Sequence, residues 1–307
     1  MFSGHVLSML APGQGSQTPG MLTPWLELPG ARDQISTWSK QTRLDLERLG
    51  TTATAEEITD TAVTQPLVVV AALLAYDEVR KNGELPADAV VAGHSVGELA
   101  AAAITGVISA DEAVTLAAIR GAEMAKACAL QPTIMAAVLG GDEAAVLARL
   151  DELELVPANR NAAGQIVAAG AVAQIDELIA APPEKARIRK LAVAGAFHTH
   201  FMAPAQEAVA AAAAQITPAD PTRTLLSNSD GRPVTNGADA LTKLVGQVTK
   251  PVRWDLCSAY LRDHSADAVV ELPPAGTLVG IAKRELKGTP ALALKEPGDI
   301  AKITELG

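Results

Sequence analysis

Aromatic side chains are scarce, at only 3% of the 307 residues. Cysteine is scarcer still: two residues, Cys128 and Cys257, exclude a disulfide framework and a cysteine-rich zinc site. Basic residues are outnumbered, 25 against 35 acidic, and the net charge of −10 argues against general nucleic-acid binding. Long apolar runs are missing too. The longest, residues 66–76, is about half of the ~20 residues that span a bilayer. Residues 1–10 carry no basic n-region, so no signal peptide is expected and the sequence predicts a cytosolic, membrane-free protein. What is abundant is alanine, about a fifth of the chain, which predicts many closely packed helices. With 49% hydrophobic and 20% charged residues, the balance is that of a globular chain.

Residues 6–10 form an apolar run that stops at Ala11-Pro12-Gly13, as a buried strand entering a turn does. Residues 65–79 are apolar on nearly every side and predict a buried helix. Residues 89–92 predict a second strand, ending at Gly93, with a helix resuming over 96–103. Ser109 and Glu112 make a capping box that opens a helix to about Cys128. The pattern then changes to strand 135–139, helix 142–153, strand 156–159, strand 165–169, helix 171–181 and strand 189–193. That βαββαβ order predicts a ferredoxin-like unit. After His198 a helix at 205–215 and strands at 224–227 and 268–272 return to the first pattern. The expected fold is therefore α/β: a larger α/β-hydrolase-like parallel-sheet unit, residues 1–130 and 199–307, interrupted by a smaller ferredoxin-like insert, residues 131–198.

Gly93-His94-Ser95-Val96-Gly97 matches G-x-S-x-G and lies between a predicted strand and a predicted helix. Alone, such a pentapeptide is as often an ordinary glycine-rich turn; the strand–turn–helix context favours a nucleophile elbow with Ser95 at its tip. A serine needs a base, and the histidines are His5, His94, His198, His200 and His264. His94 adjoins the serine and points elsewhere at a tight turn, and His5 is near the terminus. His198 follows the last strand of the insert and has a modest edge in position over His200. The pair His198 and His200 lacks a third ligand cluster, so no metal is expected. The loop Gly13-Gln14-Gly15 begins like a dinucleotide fingerprint, but Thr18 stands at the third glycine position and no acidic residue closes a second strand. It reads as a tight turn, or as a donor of a backbone N–H to an oxyanion. Arg120 emerges from an apolar stripe between Leu116 and Met124. Either it snorkels to water or it awaits an anion, and the sequence leaves both open.

Taken together, GHSVGE at 93–98, PGQGSQ at 12–17, Arg120 and GAFH at 195–198 resemble the malonyl-CoA:acyl carrier protein transacylases. The segments NAAGQIV at 161–167 and QVTKPVRW at 247–254 extend the resemblance, which runs over roughly residues 7–294 in family order. It implies Ser95 as the acylated nucleophile and His198 as its general base, oriented by a main-chain carbonyl from the segment holding Gln247. It implies an oxyanion hole from the backbone N–H groups of Gln14 and Val96, and Arg120 as the holder of the malonyl carboxylate. Gln165 and Asn161 would line the pocket, and Phe197 resembles the malonyl-selective form of its position. Two departures stand out: Ile134, where the family often has glycine, and Pro273-Pro274-Ala275-Gly276 in place of the more usual glycine-proline-glycine.

The function so implied is ping-pong transfer of malonyl from malonyl-CoA to the phosphopantetheine thiol of acyl carrier protein, supplying fatty-acid elongation without metal or redox cofactor, by a monomer. The carrier would dock on a local basic patch, with Arg187/Arg189/Lys190 and Lys283/Arg284/Lys287 as candidates. The rivals are a stand-alone acyltransferase serving polyketide carriers, a serine thioesterase or hydrolase, which Arg120 and the missing Ser…Asp…His order disfavour, and a nucleotide-binding protein, which the incomplete glycine loop disfavours.

Overall fold

Strands covered on both faces read as unbroken apolar runs, and the chain places two of them side by side. The computed structural model describes residues 6–83, 85–193, 195–264 and 266–306; His5 lies outside them. Strand β1 (Leu7–Ala11) leads through helices α1 (Ala31–Thr42), α2 (Leu46–Thr51) and α3 (Thr61–Lys81) to β2 (Val90–Gly93). Helices α4 (Gly97–Ile104) and α5 (Ala110–Cys128) follow. Next come β3 (Thr133–Gly140), α6 (Glu143–Glu152), β4 (Val156–Ala162), β5 (Gln165–Ala171), α7 (Val172–Ala180) and β6 (Ala186–Lys190). Then follow α8 (Ala203–Ala213), β7 (Thr224–Leu225), α9 (Gly237–Gly246), α10 (Trp254–Asp263), β8 (Ala268–Glu271), α11 (Thr277–Glu285) and β9 (Ala291–Ala293), with a 3-10 helix over Pro297–Glu305 after them.

The large sheet is parallel, in the order β7-β2-β1-β8-β9, with β1 and β2 in register from Ser8↔Val90 to Ala11↔Gly93. The small sheet is antiparallel, in the order β4-β5-β3-β6. That is the split βαβ arrangement expected of a ferredoxin-like unit. The α/β class is as the sequence predicts. The small sheet is tied to the rest by β4, whose Ala158 C=O accepts from Val252 N–H at 2.8 Å while Arg160 N–H donates to Val252 C=O at 2.9 Å. A separate apolar cluster fills the seam between the two sheets, with Met124, Met135, Phe197, Met202 and Val248 among its members.

The sequence and the structure differ in places. The last strand of the small sheet runs over Ala186–Lys190 and not over 189–193. Its period-2 alternation centres on Ile188, which pairs with Val138, whereas Leu191, whose N–H still donates to the Met135 carbonyl at 2.9 Å, and Val193 lie beyond it and line a cleft. The strand near residue 224 is only two residues long, and β9, α1 and α2 went unannounced. Helix α1 buries just Ala31, Ile35 and Trp38 and has no side-chain N-cap, so its periodic signal is thin. Helix α3 starts four residues before the apolar run, where Asp60 caps the N–H of Ala62 at 2.8 Å. It is long and apolar enough to cross a membrane, yet most of it is buried inside the protein as the central core helix. The capping box at Ser109 and Glu112 forms as read. Ile134 sits in an unbroken β3 opposite Gly170, so that departure does not disturb the strand.

Candidate active site

The C-terminal ends of β1 and β2 lie side by side, and the two turns leaving them meet. Gly93 and Gly97 make that possible: a Cβ on Gly93 would stand 2.1 Å from the carbonyl of Gly97, and one on Gly97 would stand 2.3 Å from the Ala11 oxygen. Between them Ser95 sits at φ 54, the left-handed conformation of a sharp strand-to-helix turn. Its N–H donates to Asn228 Oδ1 at 2.8 Å, which pins the turn from outside.

Ser95 Oγ lies 2.7 Å from His198 Nε2, and His198 Nδ1 lies 2.7 Å from the carbonyl oxygen of Gln247. The carbonyl can only accept, so Nδ1 carries the proton and Nε2 is the free acceptor for the serine hydroxyl. His198 also holds a positive φ, 60, and is buried. Burial, reinforced by the Arg120 charge, pushes its pKa down to about 3 against the pull of the Gln247 carbonyl, so the ring is neutral at ordinary pH. Among the other described histidines, only His94 lines the same cleft, and it is engaged elsewhere. His94 Nε2 bonds Asn161 Oδ1 at 2.8 Å, His200 is exposed and packs on Phe201, and His264 stacks on Tyr260.

Arg120 is buried at 3% exposure and does not snorkel. Gly121 lets α5 lie against the start of α3, since a Cβ there would come 2.7 Å from the Thr61 oxygen. That approach brings Arg120 Nη1 within 2.6 Å of Gln65 Oε1. Nη2 donates to Gln247 Oε1 at 2.9 Å and to Ser95 Oγ at 3.3 Å. All three acceptors are amide or hydroxyl oxygens. Desolvation lowers the guanidinium pKa to about 10, which leaves it charged.

These groups open into a cleft of about 260 Å³ between the two sheets. Gln14, Asn161, Gln165 and Phe197 line it with Ser95, Arg120 and His198; of the other residues the sequence singled out, Gln247 stands behind His198 and Val96 follows Ser95 in the elbow. Arg284 Nη2 donates to Gln165 Oε1 at 2.5 Å, which anchors the glutamine at the rim. Among the described residues, the backbone N–H groups of Gln14 and Val96 donate to no protein acceptor. Gln14 Nε2 bonds Thr61 Oγ1 at 3.1 Å. A larger cavity, about 380 Å³, lies between α1 and α3, away from all of these groups. Its Arg80 and Lys81 are paired with Asp77, and Trp38 with Asp111.

Three residues escaped the sequence reading: Gln65, Glu98 and Asn228. Glu98 carried a signal, as the one charge in the apolar helix GELAAAAI. Asn228 carried none, since it reaches Ser95 across 133 residues of chain. Of the candidate basic patches, Lys190 pairs with Asp176 at 2.5 Å, while Arg284 belongs to α11, whose Thr277, Leu278 and Ile281 line the cleft.

Comparison with known proteins places this geometry. The acyl transferase domain family matches residues 9–303. The malonyl CoA-acyl carrier protein transacylase of Mycolicibacterium smegmatis is 69% identical over 290 residues, covering 93% of this chain and all of that protein. That of Mycobacterium tuberculosis H37Rv is 65% identical over 302 residues, covering 98% of this chain and all of that protein. The crystal structure of the M. tuberculosis enzyme superposes with a TM-score of 0.95, covering 97% of this chain and 99% of that one. A malonyl-transacylase in complex with a type II PKS acyl-carrier protein, 27% identical, superposes with a TM-score of 0.89, covering 98% of this chain and all of that one.

Proposed function

The chain belongs to the malonyl-CoA–acyl carrier protein transacylases of the acyl transferase domain family, and from that premise we infer how its cleft carries out the reaction. The protein transfers the malonyl group of malonyl-CoA to acyl carrier protein in fatty-acid synthesis, as an acyl-carrier-protein S-malonyltransferase. In this reading Ser95 is the nucleophile. As its Oγ attacks the thioester carbon, its proton passes to His198 Nε2, and the carbonyl oxygen becomes an oxyanion held by the N–H groups of Gln14 and Val96. Collapse breaks the C–S bond, the coenzyme A sulfur takes the proton from His198, and malonyl-Ser95 remains. The phosphopantetheine thiol of the carrier then gives its proton to His198, attacks the ester, and leaves as malonyl thioester while Ser95 regains its proton.

The Gln247 carbonyl does the orienting that an aspartate does in other serine enzymes. It fixes the tautomer without adding a negative charge beside the base. Arg120 grips the malonyl carboxylate, with Asn161, Gln165 and Phe197 shaping the rest of the pocket. The carrier docks by the basic end of α11, Lys283 and Arg284, with Lys287 just after it, at the rim of the cleft. The working unit is a cytoplasmic monomer divided at residues 130/131 and 198/199, engaging neither nucleic acid nor membrane.

The observation that carries this reading is the chain of contacts from Arg120 through Ser95 Oγ to His198 and the Gln247 carbonyl. The test is intact mass after incubation with malonyl-CoA alone. One malonyl mass should appear per chain, map to Ser95, disappear on adding carrier protein, and be absent in Ser95→Ala. A label that maps elsewhere or survives that substitution would sink the mechanism.

A further inference from the structure

Glu98 takes no part in the transfer chemistry, yet it is buried at 4% exposure directly behind the nucleophile. Both of its carboxyl oxygens face donors. Oε1 accepts from the backbone N–H of Asn228 at 2.7 Å, and Oε2 accepts from the side-chain amide of Gln247. The Gln247 Nε2 is ringed by acceptors: Glu98, the Ser95 carbonyl at 3.0 Å and Asn228 Oδ1 at 3.1 Å. Turning the amide over would set its oxygen against three others. The amide is therefore locked with Oε1 toward Arg120, whose Nη2 donates to it at 2.9 Å.

We propose that Glu98 is a positioning residue for acyl selection: through the Gln247 amide it holds the Arg120 guanidinium beside Ser95 while leaving that cation free for a substrate carboxylate. This rests on the reading of Arg120 as the malonyl site. A carboxylate in direct contact with Arg120 would compete with malonyl for the guanidinium. One placed a single amide away compensates the buried cation and fixes its position without occupying it. The charged and titratable groups facing Glu98 are Arg120 from α5, Lys243 from α9 and Cys257 from α10. Burial raises the Glu98 pKa to about 8 even with the opposing pull of the Asn228 and Gln247 donors and of Arg120; it is the geometry, two carboxyl oxygens that both accept, that matches the ionised form.

Glu98→Gln tests the proposal, because glutamine keeps the size but offers one acceptor to two donors. The Asn228 N–H is backbone and the Gln247 amide is a rotatable side chain, so the side chain yields and Arg120 loses its acceptor. Single-turnover acylation of Ser95, followed by intact mass, should slow about tenfold or more with malonyl-CoA, the usual worth of a hydrogen bond to a charged group. Acetyl-CoA has no carboxylate to place, so its rate should change less and the malonyl-to-acetyl ratio should fall. Glu98→Met removes both acceptors but adds no donor, leaving Gln247 Nε2 with Ser95 and Asn228; its ratio should fall between wild type and Glu98→Gln. A ratio that stays at the wild-type value in the folded variants, or equal slowing of both thioesters, would overturn the proposal in favour of a purely structural Glu98. If circular dichroism shows Glu98→Gln unfolded, Glu98→Met decides alone by the same ratio. Arg120→Ala, run alongside, separates the two readings. An unchanged ratio in that variant would instead defeat the assignment of Arg120 on which the proposal rests.

Discussion

A malonyl thioester differs from an acetyl thioester by one carboxylate, and the cleft presents the Arg120 guanidinium 3.3 Å from the Ser95 hydroxyl. In the protein alone that cation is held by amide oxygens of Gln65 and Gln247. A malonyl carboxylate can pair with it through two parallel hydrogen bonds, which a lysine could not reproduce. Burying that carboxylate with its cation removed costs about 3–5 kcal/mol. Arg120→Ala should therefore lower kcat/KM for malonyl-CoA by about 10²-fold or more while sparing the acetyl thioester, measured as kcat/KM for both. An unchanged ratio of the two would remove Arg120 from the site.

At the scale of elements, the site depends on how closely α5 lies against α3. The contact passes over Gly121, where a Cβ would meet the Thr61 oxygen at 2.7 Å and Gln65 Cβ at 3.2 Å. Backbone cannot yield as the tip of a side chain can, so even alanine must push the helices apart. Gly121→Ala should cost about 1–3 kcal/mol of stability, the usual price of overpacking. It should also lower the malonyl-CoA rate by stretching the 2.6 Å bond between Arg120 and Gln65. Urea unfolding and single-turnover acylation measure the two effects. Wild-type values in both would show that the helix approach does not govern the site.

Across the whole molecule, two buried groups make stability depend on pH in opposite senses. His198 has a folded-state pKa pushed down to about 3 from 6.5, so between those values the unfolded chain binds a proton that the folded one does not. The stability held above pH 6.5 is lost as pH falls toward 3, and His94, also depressed by burial, adds in the same direction. Glu98 acts the other way. Its raised pKa means stability present at low pH is lost as pH rises from 4.5 through about 8. His198→Gln cannot titrate, so its melting temperature relative to wild type should climb as pH drops from 7 to 4. The slope should be at most about 1.4 kcal/mol per pH unit. Parallel melting curves across that range would refute a neutral, buried His198.

The sequence by itself determined the α/β class, the ferredoxin-like small sheet, the Ser109 capping box and the elbow at Ser95, because each rests on local patterns of period, capping and turn chemistry. The bounds of β6, the helices α1 and α2 and the strand β9 escaped it, since their apolar signals are short or dilute. The sequence left His198 and His200 nearly level, and Arg120 undecided between solvent and site. The family resemblance pointed to His198 and Arg120, but only tertiary structure shows the contacts: His198 reaches Ser95 across 103 residues of chain and Arg120 reaches Gln247 across 127. The same holds for Gln65, Glu98 and Asn228, whose roles lie in hydrogen bonds between distant segments. Such bonds leave no periodic trace in a sequence; they exist only once the two sheets have closed the cleft and burial has removed water as a competing partner.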